Sequence, residues 1–498
     1  MYVIGLDIGT SGVKSTVFGE DANALYHAYR EYNLISEADG QFELNPNELY
    51  AKTLEVLTES INDCNRNEVR AICATSFGES FICLDKNDRV LSNTMIYMDK
   101  RGAEECEEFL QLVPEKEIFE TSGAYVDPMM SVYKMRWTNK HRPQIIRDTR
   151  KICFIADFIT YMLGADHVCD YSLAARTGMF NVRLKKWWNT AIDFSGIRES
   201  VLPTPMPSGS VVGALSEKVA RQLGVNKSVK LIIGGHDQIC AALGSGAMEK
   251  SDAANGMGTV DCMTPVVEAY ELNLDKLLQY KMPIVPFFGD GKYITMSFVM
   301  SGGATLKWFR DTLAKDVAAR SDAYDLLHRE IAGDPSNILV IPYLGGGSTP
   351  DMDATTPAAI SGMRLNTTRG ELFRAFMQGV TYECMRSMDC LKEAGVTFSR
   401  IIAVGGGSRS DVWTQMKADA LGHEILVAKQ KEAGTLASAI LCHANIGVYD
   451  NVEQAQKELI EIEKLFAPRK EVTEMYQENM KKYMKFYNAV REVYRQQC

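Results

Sequence analysis

Apolar positions at the front of the chain fall in short extended runs separated by polar turns. Tyr2 to Leu6 are mostly apolar and read as a buried strand, and Val13 to Phe18 return as a second, so Asp7 to Gly12 form the turn of a hairpin. Ala24 to Tyr32 reads as a third strand, and Asn45-Pro46-Asn47-Glu48 as the start of an amphipathic helix from Glu48 to Asn62. Val69 to Thr75 is a β-rich run; Ser76-Phe77-Gly78-Glu79-Ser80 interrupts it before Phe81 to Leu84. Asp99 is a natural N-cap for a Glu-rich helix. Ile152 to Leu163 is expected to be a mostly buried helix, and Pro203, Pro205 and Pro207 to mark a loop without regular structure. Lys230 to Ile233 is a short buried strand that runs into Gly234-Gly235-His236-Asp237-Gln238 and an Ala- and Gly-rich helix to Gly244.

The second half restarts this pattern. Asn255-Gly256-Met257-Gly258-Thr259 precedes Val260 to Thr264, again a Gly/Thr turn between extended segments. Tyr293 to Met300 is a strand, and Ser301-Gly302-Gly303-Ala304 opens a helix. Ile338 to Pro342 ends in Gly345-Gly346-Gly347-Ser348-Thr349-Pro350, which reads as a flexible loop or a linker. Glu371 to Ala394 is the longest clear helix, with Gly395 as its C-cap. Ile401 to Val404 is a buried strand followed by Gly405-Gly406-Gly407-Ser408-Arg409-Ser410 and a helix from about Asp411. Glu432-Ala433-Gly434 opens a small-residue helix, and the chain from about Glu453 is charged and helical. Two similar hairpins, one per half, suggest a duplicated nucleotide-binding architecture with the ligand between the halves.

Length and composition fit this picture: 498 residues suffice for two or more domains, and 46% hydrophobic with 24% charged residues is ordinary for a globular chain. The net charge of -10 argues against a nucleic-acid or membrane-surface role. An anionic ligand would need local help from backbone donors and cations. No signal peptide or membrane span is expected, and the twelve cysteines form no C-x-x-C pair. They read as reduced core residues of a cytoplasmic protein, with no zinc site.

Chemistry concentrates in the turns. In Gly5-Leu6-Asp7-Ile8-Gly9-Thr10-Ser11-Gly12-Val13-Lys14, glycines permit close approach and positive φ, so backbone N–H groups can face a phosphate. Thr10 and Ser11 can add hydroxyl donors, and Asp7 can hold Mg²⁺ through water. This is no Walker A loop, because Val13 separates Gly12 from Lys14 and a strand follows. Asp237 at a strand-turn-helix junction can serve as a general base, a metal ligand or an N-cap; His236 reads as a structural hydrogen-bonding residue. Gly405 to Gly407 before a helix make a seat for a nucleotide, without the G-x-G-x-x-G spacing of a dinucleotide fold.

The segments GLDIGTSGVK, MDKR, DYSLAARTGMF, GGHDQ, GMGT, SGGATLKWFRD, PYLGGGSTP and VGGGSRSDVWTQMKADALG, in this order and spacing, resemble the FGGY carbohydrate kinases over almost the whole chain. That resemblance implies an α/β chain of two actin-like, ribonuclease H-like domains, residues 1–245 and 246–498, with a cleft between them. Sugar would lie deep in the cleft, and ATP mostly on the second domain. Asp237 matches the family's catalytic base and Asp7 its acid near the metal and phosphates. Thr10 and Thr259 match hydroxyls of the two phosphate loops, in which Ser11, Lys14 and Gly258 also lie. Gly303, Gly406 and Gly407 match nucleotide-contacting glycines, with Ser410 near the adenosine. Glu79, Asp99, Arg101 and Gln238 occupy positions near the sugar.

The sugar region departs from each branch. Where xylulokinase-like members carry Gln-Met-His, this chain has Phe77-Gly78-Glu79. Glu79 and Gln238 are similar to glycerol kinase, yet that branch places Arg where Gly78 stands and a tyrosine where Met129 stands. The DYSLAARTGMF segment leans toward the xylulokinase and gluconokinase branch. The resemblance thus implies MgATP-dependent phosphorylation of a terminal hydroxyl on a small open-chain sugar or polyol, a ketopentose such as xylulose first. Gluconate, ribulose, glycerol and other polyols are the alternatives, and homodimers are common in the family. A catalytically weak sensor or an actin-like ATPase is the reading from another class; Asp237 and Arg101 argue against it, since a sensor needs no base.

Overall fold

Hairpin and register build the first of two sheets. Strands β1 (Tyr2–Ile8), β2 (Gly12–Phe18) and β3 (Ala24–Glu31) form an antiparallel meander. On the other side of β1, β4 (Val69–Ser76) and then β6 (Lys230–His236) lie parallel to it, and β5 (Val211–Ala214) closes the edge antiparallel to β6. The order is therefore β5-β6-β4-β1-β2-β3. β1 and β4 are buried almost throughout, as befits parallel strands covered on both faces. This computed structural model describes residues 1–268, 271–331, 333, 335–353, 355–430 and 432–495.

The chain divides into two compact units: Met1–Met248 with Pro283–Ile294 and Glu432–Ile460, and Glu249–Met282 with Thr295–Lys431 and Glu461–Cys498. The first cut falls three residues beyond the division at 245 that the resemblance implies. Two later segments also pack with the first unit, which a single cut does not provide for. One is the helix Ala433–Asn445, which lies on β1 and on the helix Asp237–Ser245. Its seat requires glycines. A Cβ on Gly5 would come 2.9 Å from the Thr435 carbonyl oxygen, and one on Gly244 only 1.9 Å from that of Ala433.

The second unit repeats the topology. Strands β7 (Asp252–Met257) and β8 (Asp261–Glu268) form the hairpin, with β9 (Ser297–Val299) antiparallel to β8. β10 (Arg400–Val404) and β11 (Ile425–Ala428) follow in parallel beyond β7, and β12 (Ile462–Phe466) closes antiparallel to β11. Mixed α/β units of this kind are the actin-like, ribonuclease H-like fold. The helix Arg369–Glu393 crosses this unit, started by a Thr368–Glu371 capping box, and is buried on nearly every side from Phe373 to Cys384.

Several local readings are corrected. Asp99 caps no helix: the next one is Ala103–Leu112, with Gly102 at its N-cap, and Asp99 instead closes a turn. The run from Ile152 splits, because Lys151–Cys153 pairs with Ile82–Leu84 before the helix Ile155–Leu163 begins. The proline segment contains a short strand, Thr204–Met206, parallel to Val168–Asp170; one proline in three residues is tolerated on so short a ladder. The Gly345–Pro350 loop is no linker. Ser348 Oγ and Thr349 Oγ1 accept the N–H groups of Met300 and Phe298, both at 2.8–2.9 Å. Helix Arg369–Glu393 has Ala394 at its C-cap, with Gly395 following at φ 84°. The C-terminal stretch is interrupted by β12 between helices Val452–Leu459 and Lys470–Arg495.

Gly244→Ala should lower stability by about 1–3 kcal/mol through overpacking, read as a lower urea midpoint. An unchanged midpoint would mean that the helices Asp237–Ser245 and Ala433–Asn445 do not meet through their backbones.

Candidate active site

Register places the acids of the first unit. Asp7 and Gly235 flank Thr75 of β4 from opposite sides, and Ile8 and His236 flank Ser76. The carboxyl ends of β1, β4 and β6 are therefore level, and Asp7, the Phe77–Ser80 turn and Asp237 emerge at one sheet edge. Thr75 Oγ1 donates to the Gly235 carbonyl at 2.9 Å, and Phe77 N to that of Ile8 at 3.2 Å, so the three ends are tied together. Ligands of α/β sheets sit at such carboxyl ends.

Burial is the main cause that pushes the Asp7 pKa up to about 6; the charge of Asp237 adds to it, Lys14 opposes and Glu432 adds slightly. The helix Ala433–Asn445 begins directly over Asp7: a Cβ on Gly434 would lie 3.7 Å from its Oδ2. Helix N-termini favour negative charge. Asp237 is in the first turn of its own helix, whose cap is His236, so its carboxylate does not occupy the cap position. It is 40% exposed and 3.3 Å from Nε2 of His236. Burial by the surrounding walls raises its pKa, His236 opposes, and Glu79 raises it further. His236 N donates to Ser172 Oγ at 2.8 Å, which fixes the junction.

The hairpin loop is rigid. Gly9 N donates to the Gly12 carbonyl at 2.9 Å, and the Tyr32 hydroxyl donates to the carbonyls of Gly9 and Gly12. Neither glycine has a positive φ. Their role here is close approach, since a Cβ on Gly12 would lie 2.5 Å from the Arg30 carbonyl oxygen. Thr10 hydrogen-bonds the Tyr97 hydroxyl, Ser11 is exposed, and Lys14 Nζ is paired with Glu432.

The four residues expected beside a sugar divide. Glu79 is buried at φ 60° and ion-paired with Arg176, and Gln238 follows Asp237, half-buried. Asp99 and Arg101 instead brace one another. Asp99 accepts from Phe42 N at 2.9 Å and Arg101 Nε at 2.9 Å, while Arg101 pairs with Glu43 at 2.7 Å and stacks 5.0 Å over Trp137. Beneath them lies Lys134, fully buried, donating to the Ile96 carbonyl at 3.0 Å. Burial lowers its pKa to about 7 against the pull of Glu79, Asp99 and Asp127. Arg176, Lys134, Tyr97 and Tyr32 are the partners that sequence reading passed over. Arg176 lies within the DYSLAARTGMF segment, but nothing in that string says that it reaches Glu79, 97 residues away.

In the second unit the glycines converge. Gly303 N donates to the Gly258 carbonyl at 2.9 Å and Ala304 N to that of Thr259 at 3.2 Å, which joins the second hairpin loop to the start of helix Gly302–Leu313. A Cβ on Gly303 would lie 2.6 Å from the Gly258 carbonyl oxygen, and one on Gly407 2.8 Å from the Trp413 ring. Gly406 has open space where a side chain would be. Ser410 Oγ caps helix Asp411–Leu421 and lies 3.0 Å from His328 Nε2. Under the loop, Lys417 Nζ donates to Asp261 Oδ2 at 2.5 Å and Asn255 Oδ1 at 2.8 Å, all three buried. Burial alone would lower the Lys417 pKa; Asp261 beside it outweighs that and raises it. A lysine four residues after Trp413 on an apolar helix face was the available signal.

Residues 2–244 match the N-terminal domain, and residues 258–446 the C-terminal domain, of the FGGY family of carbohydrate kinases. A xylulose kinase of Bacillus subtilis (strain 168) is 26% identical over 99% of this chain and 96% of its own length. A gluconokinase of Bacillus licheniformis is 25% identical over 99% and 97%. The crystal structure of gluconate kinase from Lactobacillus acidophilus superposes with a TM-score of 0.90 at 23% identity, covering 100% of this chain and 99% of that one. Among the described residues no helix is long and apolar enough to cross a membrane.

A carboxylate whose folded pKa is about 6 against 3.8 costs stability as it ionises. The unfolded chain gives up this proton first. The cost is absent below about pH 4, grows as pH rises toward 6, and is complete above it. Asp7→Asn should therefore raise stability at pH 7.5, without divalent metal, by about 1–3 kcal/mol, and the gain should vanish at pH 4. A gain independent of pH would overturn the assignment of a raised Asp7 pKa.

Proposed function

The chain belongs to the FGGY family of carbohydrate kinases, and from that premise we propose that it transfers the γ-phosphoryl group of ATP to a terminal hydroxyl of a small, neutral, open-chain sugar or polyol, a ketopentose such as xylulose first. The enzyme is a sugar kinase using ATP; the acceptor, the residue roles and a cytoplasmic location are our reading. The observation that carries it is the level sheet edge at which Asp237, partly exposed and with a raised pKa, stands beside Asp7 and Glu79.

Asp237 accepts the proton of the acceptor hydroxyl as its oxygen bonds to the γ-phosphorus and the bond to the ADP oxygen breaks. A base of raised pKa is better matched to neutral pH than an ordinary carboxylate. Thr10, Ser11 and Lys14 on the first loop, and Gly258, Thr259, Gly303, Gly406, Gly407 and Ser410 in the second unit, are assigned to the nucleotide and its phosphates. Lys14 is bound to Glu432 in this structure, so a phosphate must compete for it. Among the described residues no three His, Cys, Asp or Glu cluster could hold a metal. Asp7 alone fits Mg²⁺, which commonly takes one or two carboxylates, waters and substrate phosphates. When bound, Mg²⁺ would offset phosphate charge.

Glu79 and Gln238 are assigned to acceptor hydroxyls. Asp99 and Arg101, engaged with one another and with Glu43, are assigned to shaping the wall that bears them. A neutral acceptor is favoured over a sugar acid because the charge of Arg176 is already offset by Glu79, and Lys134 is turned to a main-chain carbonyl.

Coupled ADP release with MgATP tests this against D- and L-xylulose, D- and L-ribulose, gluconate, glycerol, erythritol and arabitol, each with a no-sugar blank. One neutral acceptor should stand well above the blank, and Asp237→Ala should cut that rate by about 10²–10⁴-fold. Gluconate as the sole good acceptor would overturn the neutral-acceptor reading. Equal ATP hydrolysis with and without every sugar would favour an ATPase.

A further inference from the structure

The Glu79 turn carries more structure than a hydrogen-bonding carboxylate needs. Glu79 is a non-glycine residue at φ 60°, a conformation that persists only where the surroundings impose it. What imposes it is Arg176, whose Nε donates to Glu79 Oε1, with both side chains only 6–7% exposed. Gly78 makes room for that approach: a Cβ there would lie 3.0 Å from the Arg176 Cβ and 3.0 Å from His236 Cδ2. The turn is thus pressed between Arg176 and the residue next to Asp237. The Arg176 guanidinium is not saturated by this arrangement. Its Nη2 faces Met129 Sδ at 3.6 Å, and a thioether is a weak acceptor. A charged donor fork directed at so poor a partner is poised for a better one.

We propose that Arg176 determines acceptor specificity: its Nη2 leaves Met129 to donate to one acceptor hydroxyl, while its Nε holds Glu79 to accept from the neighbouring hydroxyl. The pair presents a donor and an acceptor of fixed spacing, which reads the relative orientation of two adjacent hydroxyls on a neutral chain. This rests on the sugar-kinase reading of the same site. It goes further in naming the residue that chooses between stereoisomers and the feature that it reads.

The test compares wild type with Arg176→Lys and Arg176→Gln on the best acceptor and on its epimer at the adjacent hydroxyl, with the KM for ATP and the thermal midpoint measured alongside. Both variants should raise the acceptor KM about tenfold to a hundredfold and shrink the preference over the epimer, with the ATP KM within about twofold. Lysine keeps the charge but loses the fork, so a full rescue by Arg176→Lys would overturn the proposal. So would an equal loss on both epimers, or parallel rises in both KM values with a lower thermal midpoint, because a merely structural ion pair predicts those results. Should Arg176→Gln not fold, Met129→Leu supplies a second reading: removing the sulfur while leaving Arg176 should preserve the epimer preference, and its loss would point to Met129 instead. Wild type that releases no ADP above blank with any sugar would fail the functional reading itself, whereas a sound acceptor with unchanged specificity in both Arg176 variants would fail this inference alone.

Discussion

Two carboxylates held level on one sheet edge are the constraint around which the first unit is arranged. Burial raises both pKa values; the charge of Asp237 raises that of Asp7 further, and the charge of Glu79 that of Asp237. The fold does not relieve this by moving them apart, because the register of β1, β4 and β6 through Thr75 and Ser76 fixes both. It relieves it with field instead of contact. Helix Ala433–Asn445 starts over Asp7, helix Asp237–Ser245 starts at Asp237, and Lys14 stands across the hairpin from Asp7. Each softens the charge without neutralising it.

Close backbone approach is the second device, and it explains the glycines where helices and loops meet. Gly5 and Gly244 let the helix Ala433–Asn445 lie on the sheet and on its neighbouring helix, Gly12 admits the third strand against the first loop, and Gly303 admits the second loop against a helix start. Positive φ, the other property of glycine, is used at Gly235, at 126°, and at Gly405, at 86°. The strained backbone of the first unit's site is carried by Glu79, a residue with a side chain, which is where its partner Arg176 earns its importance.

How much of this was legible in sequence depended on the range of the interaction. The first hairpin, the helix from Pro46 under its Asn45 cap, the long helix ending near Gly395, and the strand-turn-helix at Asp237 are written in residues a few positions apart, and they were read within a residue or two; the second hairpin's return strand runs to Glu268, four residues past the reading. The motif order carried the family. Failures came where a local signal met a distant partner. Asp99 looks like an N-cap, but Phe42 and Arg101 claim it; Ile152 continues a helical run, but Ile82–Leu84 recruits it into a ladder. Lys417, Lys134 and Arg176 are charged residues whose burial depends on acids or carbonyls tens to more than a hundred residues away. No spacing rule finds such a pair.

The two units show what the duplicated hairpin was made to do in each place. Counting back from the loop's Gly-Thr pair, Asp7 precedes Gly9-Thr10 by two residues, and the corresponding position before Gly258-Thr259 is Gly256. The second hairpin therefore has no acid where the first has its most perturbed one. Its nearest carboxylate, Asp261, is buried and bound by Lys417 and Asn255. An anion approaching the second loop meets glycine backbone and a hydroxyl, with the one neighbouring charge already paired. An anion approaching the first meets an ionisable acid that only a cation can make hospitable. The duplicated hairpin thus presents an acid at its strand end in one unit and a glycine at the corresponding position in the other.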